Sequence, residues 1–196
     1  MKKKSFWKRC NRGFIVSMVL LVGVLAYVTT TQILLANEKR EIRAVAQQIQ
    51  TIMADTLKTP LADGQAMVAD KTKAAAFKDA TKKSLSSLFV KDAAYLDDGA
   101  QQFLSDLQAN ADNEQDISTL QEPDSSFSIK IDEDTASVSM SVEYQATGKW
   151  YDYDNSYEPV LKDRSGTLCT DWSASLVLEN GEWKIYRISS VSSYTY

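Results

Sequence analysis

Uncharged from Phe14 to Ala36, then apolar at alternating three- and four-residue steps, then apolar at every second residue, the chain changes its hydrophobic period twice. The first stretch, FIVSMVLLVGVLAYVTTTQILLA, reaches about 34 Å as a helix, enough to cross a hydrocarbon core of roughly 30 Å. Thirteen of its residues are Phe, Ile, Leu or Val. At about 0.3–0.6 kcal/mol each they favour insertion by about 4–8 kcal/mol, a sum that Ser17, Thr29, Thr30, Thr31 and Gln32 reduce without cancelling.

The helical period follows. Ile42, Val45, Ile49, Ile52 and Thr56 form a stripe, and with no Pro or Gly between Val24 and Lys58 the spacing predicts one helix running on from the apolar stretch. Lys58, Thr59 and Pro60 end it, because the residue before a proline is pushed out of helical geometry. The stripe suits either a short coiled-coil seam or packing against the chain's own domain. A turn is expected at LADG, residues 61–64, before an Ala-rich helical region with broken stripes of Met67, Val68, Phe77, Leu85, Leu88, Phe89, Leu96, Phe103, Leu104 and Leu107. Gly99 is expected to divide that region, placing Asp97 and Asp98 near the start of a second helix where its dipole favours them. ADNEQDISTLQEPDSS reads as a polar link.

An every-second-residue pattern takes over from Phe127. Phe127, Ile129 and Ile131 make one strand, Asp132 to Asp134 a turn, and Ala136, Val138, Met140, Val142, Tyr144 and Ala146 a long strand covered on one face. A third runs from Thr167 to Glu179, Asn180 and Gly181 supply a type I′ turn, and a fourth carries Trp183, Ile185 and Ile188. The change of parity between Ile185 and Ile188 predicts a bulge or face change near Tyr186. Lys162, Asp163, Arg164, Ser165 and Gly166 read as a charged turn. Helices first and antiparallel strands last is the α+β order, with helices packed on a curved antiparallel sheet. The expected divisions are a basic tail, 1–13; a transmembrane helix, 14–36; a juxtamembrane helix, 37–60; and an extracytoplasmic domain, 61–196.

Charge sets the expected orientation. Lys2, Lys3, Lys4, Lys8, Arg9 and Arg12 precede the apolar stretch without an acid, so the N-terminus is expected in the cytoplasm, the rest outside the cell membrane, and the tail against anionic headgroups. All 26 acids lie beyond the stretch with 16 Lys and Arg, a net of −10 for that portion. An exterior so acidic argues against direct nucleic-acid binding. The rival reading is a cleaved signal peptide cut after Ala26 or Ala36; the uncharged run continues ten residues past the first cut, and the second puts Leu34 where a small residue is wanted. Cys10 and Cys169 fall on opposite sides of the expected membrane and do not pair within one chain. Histidine is absent, which removes Ser-His-Asp and Cys-His catalysis and most zinc sites. No cofactor, metal or catalytic residue is expected.

Special residues are densest in KWYDYDNSYEP, residues 149–159. Trp150, Tyr151, Asp152, Tyr153, Asp154 and Tyr157 are the expected partner or ligand surface, on a strand end and hairpin loop. Two chemical readings stand beside it: a Tyr and Asp acid/base pair, and cation capture by Asp152, Asp154, Ser156 and Glu158, though an EF-hand's glycine is missing.

Helices followed by long strands closing on NGEWKIYRISSV, with Gly181, Trp183 and Ile185, resemble the NTF2-like (cystatin-like cone) superfamily. With a basic tail and one span added, the layout is similar to VirB8-type components of type IV secretion and conjugation. That resemblance implies a non-enzymatic assembly module that associates with itself or with other envelope proteins while held in a lipid bilayer. The alternative it leaves open is a small apolar ligand inside the cone, lined by Tyr144, Trp172 and Trp183.

Overall fold

A computed structural model of the chain describes residues 12–91, 94–112, 115–121, 124–153 and 155–195. The basic tail before Arg12, with Cys10, lies outside them. Two compact units divide at Glu41 and Ile42. The protein is α+β: an N-terminal apolar helix, further helices, and a curved antiparallel sheet of five strands.

Helix α1 runs from Arg12 to Leu57. The first unit holds its apolar part, where Leu20, Leu21, Val24 and Leu25 are each more than half exposed. Thr29, Thr30 and Thr31 return their hydroxyls to the carbonyls of Leu25, Ala26 and Tyr27 at 2.8–2.9 Å, so three hydroxyls in an apolar run are satisfied within the helix. The helix is long and apolar enough to cross a membrane, and none of its apolar window is buried.

In the second unit the end of α1 lies across the sheet. Ile42, Ala46, Ile49, Met53 and Leu57 are buried and Val45 and Ile52 pack beside them, so the stripe meets the chain's own core. The direction is fixed by three contacts. The Arg43 guanidinium stands 5.4 Å from the Phe127 ring, Gln50 lies beside Tyr144, and just past the helix the Leu61 amide donates to Asp116 Oδ1 at 3.2 Å.

Helices α2 (Leu61–Ala69), α3 (Lys71–Leu85) and α4 (Leu96–Asp112) follow. LADG is therefore not a turn but the first turn of α2: Gly64 is buried where a Cβ would stand 3.2 Å from Ala111 Cβ, so its role is close packing. Nor does Gly99 separate a pair of helices. It lies in the first turn of α4, where a Cβ would meet Phe89 Cζ at 3.1 Å, and the helical region breaks instead at Asp70 and after Leu85. Asp70 caps α3 by accepting from the Thr72 amide at 2.8 Å, which holds its carboxyl below the usual range. Asp97, in the first turn of α4 as expected, is also lowered, here by Lys78 at 2.6 Å and Lys82 at 3.3 Å. Between α3 and α4, Phe89 is buried and its neighbours join the sheet: the Ile185 amide donates to Leu88 O and the Val90 amide to Ile185 O.

The strands are β1 (Asp116–Leu120), β2 (Asp124–Asp132), β3 (Thr135–Tyr153), β4 (Pro159–Glu179) and β5 (Glu182–Thr195). β4 occupies one side of β3 along its whole length, while β1 and β2 share the other side end to end, and β5 closes the order β1-β3-β4-β5. β1 lies in the stretch expected to be only a polar link. It is short and bulged between Ile117 and Thr119, and it crosses so near Gly148 that a Cβ there would overlap the Asp116 carbonyl. Asn180 (φ 53°) and Gly181 (φ 83°) make the expected turn. The expected bulge is present too: Ser175 pairs with Arg187 but Leu176 with Ile185, passing over Tyr186. Alternation places Ala136, Val138, Met140, Val142, Tyr144 and Ala146 in the core with Leu168, Trp172, Ala174 and Leu176.

Candidate functional site: an exposed two-stranded arm

KWYDYDNSYEP is not mainly loop. β3 continues to Tyr153 and β4 begins at Pro159, in the register Lys149 to Asp163, Trp150 to Lys162, Tyr151 to Leu161, Asp152 to Val160 and Tyr153 to Pro159. The expected charged turn at Lys162 to Gly166 is accordingly strand, because β3 reaches far enough to pair it. β1 begins opposite Lys149 on one side and β5 ends opposite Leu168 on the other. Beyond those limits β3 and β4 pair with each other alone, as an arm. It continues the direction in which α1 crosses the sheet, so within the second unit it projects from the end opposite the entry of the chain at Ile42.

Trp150 is half-buried at the base of the arm, and Tyr157, in the turn with φ 60°, is 86% exposed. Val160 and Leu161 are exposed at 36% and 40%. Tyr151, Asp152 and Tyr153 are placed by backbone register only, and Asp154 lies outside the described residues, so the acid/base pair and the cation reading meet no geometry there. Among the described residues no group of three His, Cys, Asp or Glu is placed to hold a metal. The Lys149 and Asp163 charges stand 4.0 Å apart in the open, a pair worth about 0–1 kcal/mol. An isolated two-stranded hairpin is marginal in water, so the arm depends on continuity with the sheet beneath it.

The remaining candidate residues sit in the core. Tyr144, Trp172 and Trp183 are 2%, 2% and 3% exposed. Trp172 Nε1, Trp183 Nε1 and Thr170 Oγ1 have no hydrogen-bond partner, and Tyr144 Oη has Gln50 beside it but no bond of normal geometry. Burial pushes the Tyr144 hydroxyl up from its ordinary value near 10.0, and Gln50 offsets part of that. The folded chain then keeps this proton after the unfolded chain has lost its own. The contribution is present below about pH 10 and is lost as pH rises through the folded value. Denaturant titrations above about pH 10 should show stability falling, with Tyr144→Phe flattening the fall. A slope unchanged by that substitution would assign the loss to other groups.

The outer face of the sheet carries a feature that the sequence did not single out. Register aligns Ser128, Ser139 and Ser173 in one row and Ser126, Ser141 and Asp171 in the next, flooring an open groove of about 460 Å³. Each serine is an ordinary outward position in its own strand, and the rows arise only when strand registers are known.

No protein-family model matches the chain, and no curated protein matches it. Among solved structures, the intermembrane-space region of the chloroplast protein ARC6 is similar to it at 16% identity. The alignment covers 67% of this chain and 94% of that one, with a TM-score of 0.27. A superposition that loose carries no functional argument, and the reading below stands on this chain's own residues.

Proposed function

We propose that this chain is a single-pass membrane protein whose NTF2-like domain works outside the cytoplasm as a non-enzymatic assembly module, in the manner of VirB8-type conjugation or secretion components. The observation that supports it most is the division of labour along α1. Its first half is apolar and unburied, and its last four turns carry a stripe that the domain uses as core. An anchor that is also a core element fixes a domain near a membrane, which is of use to a subunit that must meet others there. The arm adds an exposed aromatic, Tyr157, a residue type enriched at interfaces. A net charge of −10 beyond the apolar stretch disfavours nucleic acid as a ligand of this domain.

Cross-linking of the full chain in intact cells tests this, paired with protease added from outside. The expected result is trimming of the domain by protease and a cross-linked band containing either a second copy or another envelope protein. Monomer alone, or a domain shielded from protease, would overturn it.

A further inference from the structure

The segment that joins α3 to α4 meets the sheet at a single point. Phe89 stands opposite Ile185 of β5 as an isolated parallel bridge, and no ladder among the described residues continues it. Two main-chain bonds make the bridge: the Ile185 amide donates to Leu88 O at 2.8 Å and the Val90 amide to Ile185 O at 3.0 Å. They take both the amide and the carbonyl of Ile185. Of residues 86–91 only Leu88 and Phe89 are buried. The tip of the Phe89 ring fills the room that Gly99 leaves, where a Cβ would lie 3.1 Å from Phe89 Cζ and 3.5 Å from Ile188 Cδ1. The other ties are at the surface. The Lys91 amide donates to Glu179 Oε2 at 3.3 Å and the Lys184 ammonium to Ser87 O at 3.1 Å, both exposed. The Leu88 and Phe89 amides donate to Leu85 O, so the segment springs from the last turn of α3. The helices on either side have a tie of their own, because Asp97 of α4 accepts from both Lys78 and Lys82 of α3.

We propose that residues 86–91 form a strap that opens and closes over the edge of β5 as a unit, while α3, α4 and the sheet stay folded, with Phe89 as its latch and the gap at Gly99 as its keeper. Regions that open below the global unfolding free energy are those with few buried apolar contacts and exposed backbone bonds. The strap has two buried side chains and one bridge, whereas every bond of the β3–β4 ladder has neighbours that must break with it. Withdrawing Phe89 frees the Val90 and Ile185 amides together, because their two bonds belong to the same bridge. A covering loop is one of the ways an edge strand is kept from pairing with another chain. The strap closes β5 at Ile185 in that way, so its opening decides when this point of the edge accepts an extended segment. Its behaviour is independent of whether the domain assembles at a membrane.

Hydrogen exchange of the full chain in detergent micelles, resolved to single amides, tests this. Val90 and Ile185 should share one opening free energy, lower than that of the β3–β4 ladder and nearly independent of low denaturant, because the opening exposes little surface. Phe89→Ala should speed exchange at both amides at least about tenfold, equivalent to about 1.4 kcal/mol. Phe89→Leu, a milder change that keeps the core filled, should speed the same two amides by less. Val142 is buried in β3 opposite Thr170, six positions along β4 from the Leu176 that faces Ile185. Val142→Ala should therefore speed exchange of the ladder through global unfolding and leave Val90 and Ile185 unchanged. Unequal opening free energies for the two amides overturn the proposal. So does exchange of either at the ladder's free energy with its full denaturant slope, or acceleration of both by Val142→Ala.

Discussion

Arginines at Leu21 and Leu25 should remove this chain from membranes. Both leucines lie in the middle of the apolar stretch, exposed at 56% and 57%. An arginine there costs about 2.5–3.5 kcal/mol and each lost leucine gives up about 0.3–0.6, so the pair shifts insertion by about 6–8 kcal/mol. That is comparable to the whole gross gain of about 4–8 kcal/mol that the stretch supplies. Fractionation of cells expressing Leu21→Arg with Leu25→Arg should find the chain soluble or degraded, while Leu21→Phe with Leu25→Phe stays in the membrane fraction. The C-terminal domain should survive the change, because its share of α1 begins at Ile42 and packs within its own unit. Retention of the arginine variant in the membrane would mean that α1 is not the anchor.

What the sequence disclosed and what it hid follow one rule. Features decided by local chemistry were legible. The apolar stretch, the stripe from Ile42 to Thr56, the alternation from Ala136 to Ala146, the Asn180–Gly181 turn and the bulge at Tyr186 each depend on residues within a few positions of one another. Features decided by distant neighbours were misread. Gly64 and Gly99 look like punctuation in sequence, yet each is small because a side chain from outside its own helix, Ala111 in one case and Phe89 in the other, occupies the space of its Cβ. Asp116–Leu120 is strand only because β3 offers it an edge beside Gly148. The arm was legible as composition, since Trp150, Tyr151, Tyr153 and Tyr157 crowd together. That it projects could not be read, because projection is a difference between where β1 begins, where β5 ends and where β3 ends.

Trp172 should be the costliest single position in the sheet, and its nitrogen should account for some of the difference between two substitutions. Its side chain is among the largest fully buried ones, in the core cluster that also holds the inner face of β3 and the end of α1. Trp172→Ala is expected to cost about 3–5 kcal/mol, about a fifth or more of the stability of a domain holding about 5–15 kcal/mol. Trp172→Phe keeps an aromatic ring and deletes Nε1–H, a donor without a partner whose burial costs about 1–3 kcal/mol. Removing that donor offsets much of the lost volume, so the phenylalanine variant should recover more than half of what alanine loses in a denaturant titration. If the two variants are equally destabilised, Nε1–H has an acceptor in solution, and the neighbouring Thr170 hydroxyl, buried on the same face of β4 and equally unpaired, is the next group to substitute.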